Sequence, residues 1–361
     1  MHEVLKAAQN GNLDYFLDRI SDDRFLDFVL TISHQKSGDT VLHYAARHGH
    51  LQLLKFLVDN GLNIELGNFD GKRALHEAAQ YGQLDCLKYI LSCDVNVDSL
   101  KRADWTPLML ACTKDNLEII QVLISKGSSL TLRNKDGWNC FHLAVREGHL
   151  PIIDYLYKQD PTIWRNVSKN GRTPLHTAAI HGHTDVVSYL LSHCQYGIDE
   201  QDSCGSTPFM DAVRVEAIDI AKLLLNKQKV RVNTEDKLGR QAIHVAAQSG
   251  AMRSINYLIH DCSVSPDVRC SSNKATALHI AAKEGHVTVM LCLLKYGADI
   301  DAIDSRGRTA LHIAAGAQHA DCVHVLLKNG AQCRIDDTGT SPMELAKKSN
   351  VVEIFESLEN T

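Results

Sequence analysis

Apolar and polar positions along this chain recur with one long period. A short phrase built on an apolar residue, a histidine and an alanine pair is clearest as Thr173-Pro-Leu-His-Thr-Ala-Ala179, Thr276-Ala-Leu-His-Ile-Ala-Ala282 and Thr309-Ala-Leu-His-Ile-Ala-Ala315. The position after the leucine gives His43, His76, Met109, His142, His176, Met210, His244, His279 and His312, with steps of 33, 33, 33, 34, 34, 34, 35 and 33 residues. Each phrase predicts a short, thin helix. A second stripe follows it, apolar at i, i+1, i+4 and i+5, as in Leu53, Leu54, Leu57 and Val58 or Val186, Val187, Leu190 and Leu191, and predicts an amphipathic helix. No unit can bury that stripe alone, so the units must stack in a row.

Punctuation residues fit the same plan. Asp-Gly pairs such as Asp70-Gly71 and Asp136-Gly137 supply positive φ and predict hairpin fingers between units. Thr sits at the helix entrance, and Pro107, Pro174 and Pro208 occupy the first turn. Gly49, Gly82, Gly148, Gly182, Gly250 and Gly285 are placed to end the first helix in the left-handed conformation.

The ends depart from the pattern. Val4 to Ile20 carries Ala7-Ala8 in phase, followed by an unusually long loop from Ser21 to Lys36. The degenerate last copy has Glu344 at the histidine position, and Lys347, Lys348, Glu353, Glu356 and Glu359 make its second helix polar. The expected organisation is one domain over residues 1–361: capping helices and loop at 1–36, nine repeats at 37–336, and a capping repeat at 337–361.

Period and phrase together resemble the ankyrin repeat family, along nearly the whole length. The resemblance implies an all-α ankyrin-repeat solenoid of helix-turn-helix units with short β-hairpin fingers. It also implies that the motif histidines bond finger backbone and hold neighbours in register. His50, His149, His183 and His286, each after a glycine, belong to the family pattern as well.

Composition changes this picture little. The chain is 44% hydrophobic and 22% charged with net charge −5, which gives no reason to expect nucleic acid or an anionic membrane as the main partner. No apolar run reaches membrane length, the first residues do not read as a secretory signal, and the chain reads as soluble. Eleven cysteines, an odd number at irregular spacings without Cys-x-x-Cys, read as reduced packed thiols in a cytoplasmic or nuclear protein. Cys86, Cys112 and Cys322 stand at core positions. No metal site, cofactor or catalytic constellation is expected, and the chain reads as no enzyme.

Variation between repeats carries the functional signal. The residue after the turn of each finger is Asp39, Lys72, Trp105, Trp138, Arg172, Ser206, Arg240, Ala275, Arg308 and Thr340. Two of the three tryptophans thus hold one position in consecutive repeats. A neighbouring finger position is basic three times running, at Arg102, Lys135 and Lys169, with Arg133, Trp164 and Arg165 close in sequence. Trp beside Arg and Lys is the composition of binding hot spots, so Trp105, Trp138, Lys72, Arg102, Arg133, Lys135, Arg165, Lys169 and Arg172 are the candidate partner-binding residues. The late fingers, with Asp299, Asp301, Asp304, Asp336 and Asp337, are acidic and lack aromatics.

Nine repeats between two caps also resemble one vertebrate member of the family. That closer resemblance implies alanyl-tRNA synthetase as partner and a role in limiting mischarging of serine. The chemistry would be acyl acceptance by Lys101, Lys135 or Lys169, since a lysine beside other cations is more often neutral and nucleophilic. Two alternatives stand beside it: an adaptor joining unrelated proteins, and an RNA platform using the Trp and Arg fingers. The pI of about 6.4 opposes the RNA platform. By itself the chain is expected to be monomeric.

Overall fold

The computed structural model describes residues 2–359, with side chains to 356; Glu359's side chain lies outside them. Among the described residues the regular elements are helical, and the only bridge is an isolated antiparallel pair, Lys101 with Trp105. The expected hairpins are therefore tight turns. Each finger closes on about one backbone bond, such as Asn134 N–H to Trp138 O at 2.9 Å or Asp304 N–H to Arg308 O at 2.9 Å, too few for a ladder.

The chain divides into two compact units, Met1–Pro174 and Leu175–Thr361. In the first, the repeats pair Val41–His48 with Leu51–Asp59, Ala74–Gln80 with Leu84–Ile90, Pro107–Ala111 with Leu117–Ser125, and Cys140–Glu147 with Leu150–Gln159. The entrances are capped as the sequence predicts: Thr106 accepts from the Met109 amide at 3.2 Å. Gly49 and Gly148 end their helices at φ 78°. Ala45 and Ala46 are fully buried, which lets adjacent first helices approach closely. Leu53, Leu54 and Leu57 are buried too, each contributing about 1.5–3 kcal/mol, while Val58, expected in the same stripe, is half-buried at its margin.

The expected loop from Ser21 to Lys36 contains a helix, Asp23–Thr31. Asp22 caps it by accepting from the Arg24 amide at 3.0 Å. Phe25 and Val29 fall on one face, and Phe25 packs against Tyr15 and Phe16 at ring distances of 6.1 and 6.4 Å. The segment lies out of phase with the repeats, and only its own i, i+4 pattern announces it.

The second unit begins at the helix Pro174–Ile180 and pairs it with Thr184–His193. Then come Pro208–Arg214 with Ile218–Gln228, Ala242–Ser249 with Met252–Asn256, Ala277–Glu284 with Val287–Lys295, and Ala310–Ala317 with Ala320–Lys328. Met252–Asn256 runs on as a π turn, Tyr257–Asp261, which absorbs residues where the period stretches to 35. Pro342–Leu345 and Ser349–Glu359 follow. There Glu344 keeps half of the motif histidine's role, accepting from the Ser341 amide at 2.6 Å to close a capping box.

Histidines stitch the repeats together within each unit. His43 and His279 accept at Nδ1 from the amides of Thr40 and Thr276, both at 3.2 Å. Nε2 then carries the proton and donates to a carbonyl of the next finger: His43 to Lys72 at 2.7 Å, His76 to Trp105 at 3.3 Å, His279 to Arg308 at 2.9 Å. The post-glycine histidines reach the other way, His50 to the Gln9 carbonyl at 2.8 Å and His286 to Gln248 at 3.0 Å. Cys86, Cys112 and Cys322 are fully buried, and burial pushes Cys86 and Cys322 up to about 11.

Candidate functional site

Several fingers are built on their first side chain. Asn134 Oδ1 accepts from the amides of Asp136 and Trp138 at 3.0 and 2.9 Å; Asn68 and Asp304 do the same in their own fingers. Asx turns of this kind mimic backbone. Sequence reasoning credited the Asp-Gly pairs and not the first residue of the finger, although Asn68, Asn134, Asp202, Asp236, Asp304 and Asp336 recur at one phase. Gly137, at φ 80°, is still required, because a Cβ there would stand 2.7 Å from the Lys169 nitrogen of the next finger.

That close approach is a hydrogen bond. Arg102 N–H donates to Asp70 O at 2.6 Å, Lys135 N–H to Ala103 O at 3.0 Å, and Lys169 N–H to Asp136 O at 2.9 Å. Residues about 33 apart are therefore neighbours. The side chains of Arg102, Lys135 and Lys169 form a basic row, all exposed.

Trp105 sits on an unusual finger. Asp104 takes the glycine's place at φ 62°, after Ala103 at φ 66°. Two successive non-glycine residues in the left-handed region are strained, and such strain clusters at functional positions. The Lys101–Trp105 bridge closes this turn, with Lys101 N–H donating to Trp105 O at 3.0 Å. Lys101 Nζ lies 5.4 Å from the indole centre. Burial, then the charge of Lys72, hold Lys101 below the usual lysine range, against the opposing pull of Asp70 and Glu77. The sequence pointed to Arg102 as the neighbouring cation, but Arg102 turns outward to Asp70 at 3.4 Å.

Trp138 stacks on His142, ring centres 6.1 Å apart, and the Arg146 guanidinium lies 5.5 Å from its ring. Trp105 and Trp138 are both half-buried and line one cleft of about 310 Å³ with Asn134, Arg146, Lys169 and Arg172. Arg146 was not read from the sequence. It stands four residues after the motif histidine, on the helix face that looks at the fingers, and that spacing is the signal that finds it.

The other candidates lie elsewhere. Arg133 bonds Asn166, and Arg165 lies 5.4 Å from the Trp164 ring. Lys72 turns inward, donating to Gln80 at 2.7 Å and lying 3.4 Å from Glu77. Glu77 is fully buried in a charge cluster in which Arg47 bridges to it at 2.9 Å and to Asp39 at 2.8 Å. Of the residues singled out, the structure thus brings Trp105, Trp138, Lys169 and Arg172 to one cleft, and does not bring Lys72, Arg102, Arg133, Lys135 or Arg165 to it.

The acidic fingers are also largely committed. Asp304 accepts two turn amides and pairs with Arg308 at 2.7 Å. Asp336 accepts from the Thr338 and Thr340 amides, and Asp301 from the Gln332 amide at 3.0 Å.

The family model for ankyrin repeats (three copies) matches residues 4–101, 95–167, 161–236, 228–304 and 297–360. The chain belongs to the ankyrin repeat family. The ankyrin repeats are 36% identical over 73 residues to protein fem-1 homolog C of Xenopus laevis, 19% of this chain and 12% of that protein. They are 34% identical over 76 residues to the inhibitor of Bruton tyrosine kinase of the same organism, 21% of this chain and 6% of that protein. The chain thus spans a small part of either relative. The crystal structure of the Bcl-3 ankyrin repeat domain superposes with a TM-score of 0.50 at 23% identity, over 61% of this chain and 99% of that one, a likeness of fold alone. Among the described residues, no helix of this ankyrin chain is long and apolar enough to cross a membrane.

Proposed function

We propose that this chain is a non-catalytic protein-binding scaffold that holds its partner through the fingers of the first unit, with Trp105 and Trp138 as anchors. The supporting observation is the shared cleft. Two half-buried indoles from consecutive fingers line it together with Lys169 and Arg172, and Trp and Arg are the residues that dominate binding energy.

The repeat layout resembles ankyrin repeat domain-containing protein sixteen of vertebrates, and that resemblance suggests alanyl-tRNA synthetase as the partner and limitation of serine mischarging as the role. Lys101, Lys135 and Lys169 are the proposed acceptors of misactivated serine. The lowered Lys101 pKa supports the idea, since it raises the neutral fraction of the amine. The neutral amine would attack the acyl carbon of a seryl adenylate: a C–N bond forms, the bond to the phosphate oxygen breaks, AMP leaves and the amine proton passes to solvent. Each lysine is consumed once, so the chain accepts and does not turn over. The same reading takes residues 1–361 as one monomeric solenoid in a reducing cytoplasmic or nuclear compartment, in keeping with its eleven free thiols.

Affinity capture with cross-linking, comparing the wild type with the Trp105→Ala, Trp138→Ala double variant, tests the reading. Loss of the synthetase from the variant is expected. Retention by the variant, with loss on substituting Asp301 and Asp336, would move the contact surface to the second unit.

A further inference from the structure

Resting on that reading of the cleft, we infer that its occupant is an acidic, extended peptide segment of the partner, with a carboxylate toward Lys169 and Arg172 and an apolar side chain against the indoles. The lining is rich in donors. Lys169 is exposed, Arg172 is half-buried, and Arg146 lies against Trp138. Asn134 is only 4% exposed, and its Oδ1 is used by two turn amides, which fixes the amide's orientation. Its Nδ2 has no acceptor among the described residues. A buried donor without an acceptor carries a cost that a ligand oxygen, admitted by a small shift of the indoles, would remove.

Charge points the same way. The chain as a whole is −5, yet Arg146, Lys169 and Arg172 line the cleft, and exposed Lys135 stands between its lining residues Asn134 and Asp136 in sequence. Asp136 is the one carboxylate in the lining. A local reversal of sign against a negative background selects for an anionic partner segment and disfavours a basic one.

The cleft's volume lies at the lower end of ligand pockets, room for a few side chains at a time. An extended strand laid along the fingers presents such side chains singly. RNA fits less well. A base needs an open aromatic face, while Lys101 already lies against Trp105, and His142 and Arg146 against Trp138.

The experiment is selection of a phage-displayed random dodecapeptide library on the full chain, with counter-selection on the Trp105→Ala, Trp138→Ala variant. Circular dichroism and thermal melting establish that this variant is folded. Clones that depend on the tryptophans are expected to be rich in Asp and Glu interspersed with apolar residues. Their synthetic peptides should bind about tenfold or more weakly to Lys169→Glu and Arg172→Gln, with a marked salt dependence. The Lys237→Glu variant, altered in a finger of the second unit, should bind them unchanged. Tryptophan-dependent clones that are neutral or basic would overturn the acidic-segment proposal while leaving the binding reading intact. No tryptophan-dependent clone at all would overturn both. Tight binding of a labelled single-stranded RNA decamer, lost in the same variants, would replace the peptide with nucleic acid.

Discussion

The position after the finger turn does the same backbone work at Trp105 and Trp138 in the first unit as at Arg240 and Arg308 in the second, and different side-chain work. In the second unit, Arg240 and Arg308 fold back onto Asp236 and Asp304, the first residues of their own fingers, each at 2.7 Å. Their charge is spent inside the finger. In the first unit, the fingers that bear Trp105, Trp138 and Arg172 begin with Lys101, Asn134 and Ser168, none of them anionic. At Arg240 and Arg308 a carboxylate four residues earlier takes up the charge, whereas at Lys72, whose finger begins with Asn68, Gln80 and Glu77 do so.

Among the motif histidines, His142 of the first unit differs from the others described. His279 and His312 in the second unit receive an amide at Nδ1 and donate from Nε2 to the next finger. In the Trp138 repeat Asn139 replaces the threonine cap, and its Oδ1 lies 2.9 Å from His142 Nδ1 while accepting the His142 amide. That places the ring proton on Nδ1 and leaves Nε2 without a partner among the described residues.

The largest expected effect tests whether the charge of the first unit is internal at Lys72 and Arg47. Arg47→Ala leaves Glu77 and Asp39 buried without their bridging cation and should cost about 3–5 kcal/mol in urea unfolding. Arg240→Ala, whose Asp236 keeps two turn amides, should cost about 1 kcal/mol. Equal losses would erase the distinction.

Acid comes next. Burial depresses His76 and His142 to about 4 in the folded chain, below an unfolded value near 6.5. The unfolded state then binds more protons between those values. The stabilising contribution is complete above about pH 6.5 and is lost as pH falls toward 4, amounting to about 3 kcal/mol per such histidine. Amide exchange at stepped pH should show the repeats that hold His76 and His142 loosening as pH falls from about 6.5 toward 4. A flat profile from pH 7 to 4 would refute the assignment.

Trp105→Ala and Trp138→Ala should each weaken the partner roughly thirtyfold or more, an energy of about 2 kcal/mol. Arg240→Ala and Arg308→Ala should change affinity less than about threefold by calorimetry, since rim or internally paired charges contribute little. His279→Ala should destabilise the chain by about 1 kcal/mol for its lost buried hydrogen bond, with affinity on folded protein unchanged. The smallest effect is none: chelator and reductant should leave the thermal midpoint within about 5 °C, because the fold is expected to need neither metal nor disulfide.

The helix pairs, their caps and the register histidines were legible because each rests on a local rule repeated many times over. So was the neighbourhood of Trp105 and Trp138, which follows from the period. Features that depend on which way a long side chain turns were not. Nothing near Lys72 announces that Glu77 and Gln80 hold its ammonium, and Arg146 joins the cleft only once the helix is seen to face the fingers. The Asp23–Thr31 helix was missed because it has no counterpart in the repeat, and the Asx device because the glycine of the same turn is the louder signal.

Hydrogen–deuterium exchange with and without purified alanyl-tRNA synthetase tests the central claim most directly, because it reads both finger rows in one experiment. The account expects protection at residues 101–105, 134–138 and 168–172 and no change at 236–240 and 304–308. Protection confined to the fingers of the second unit would contradict it.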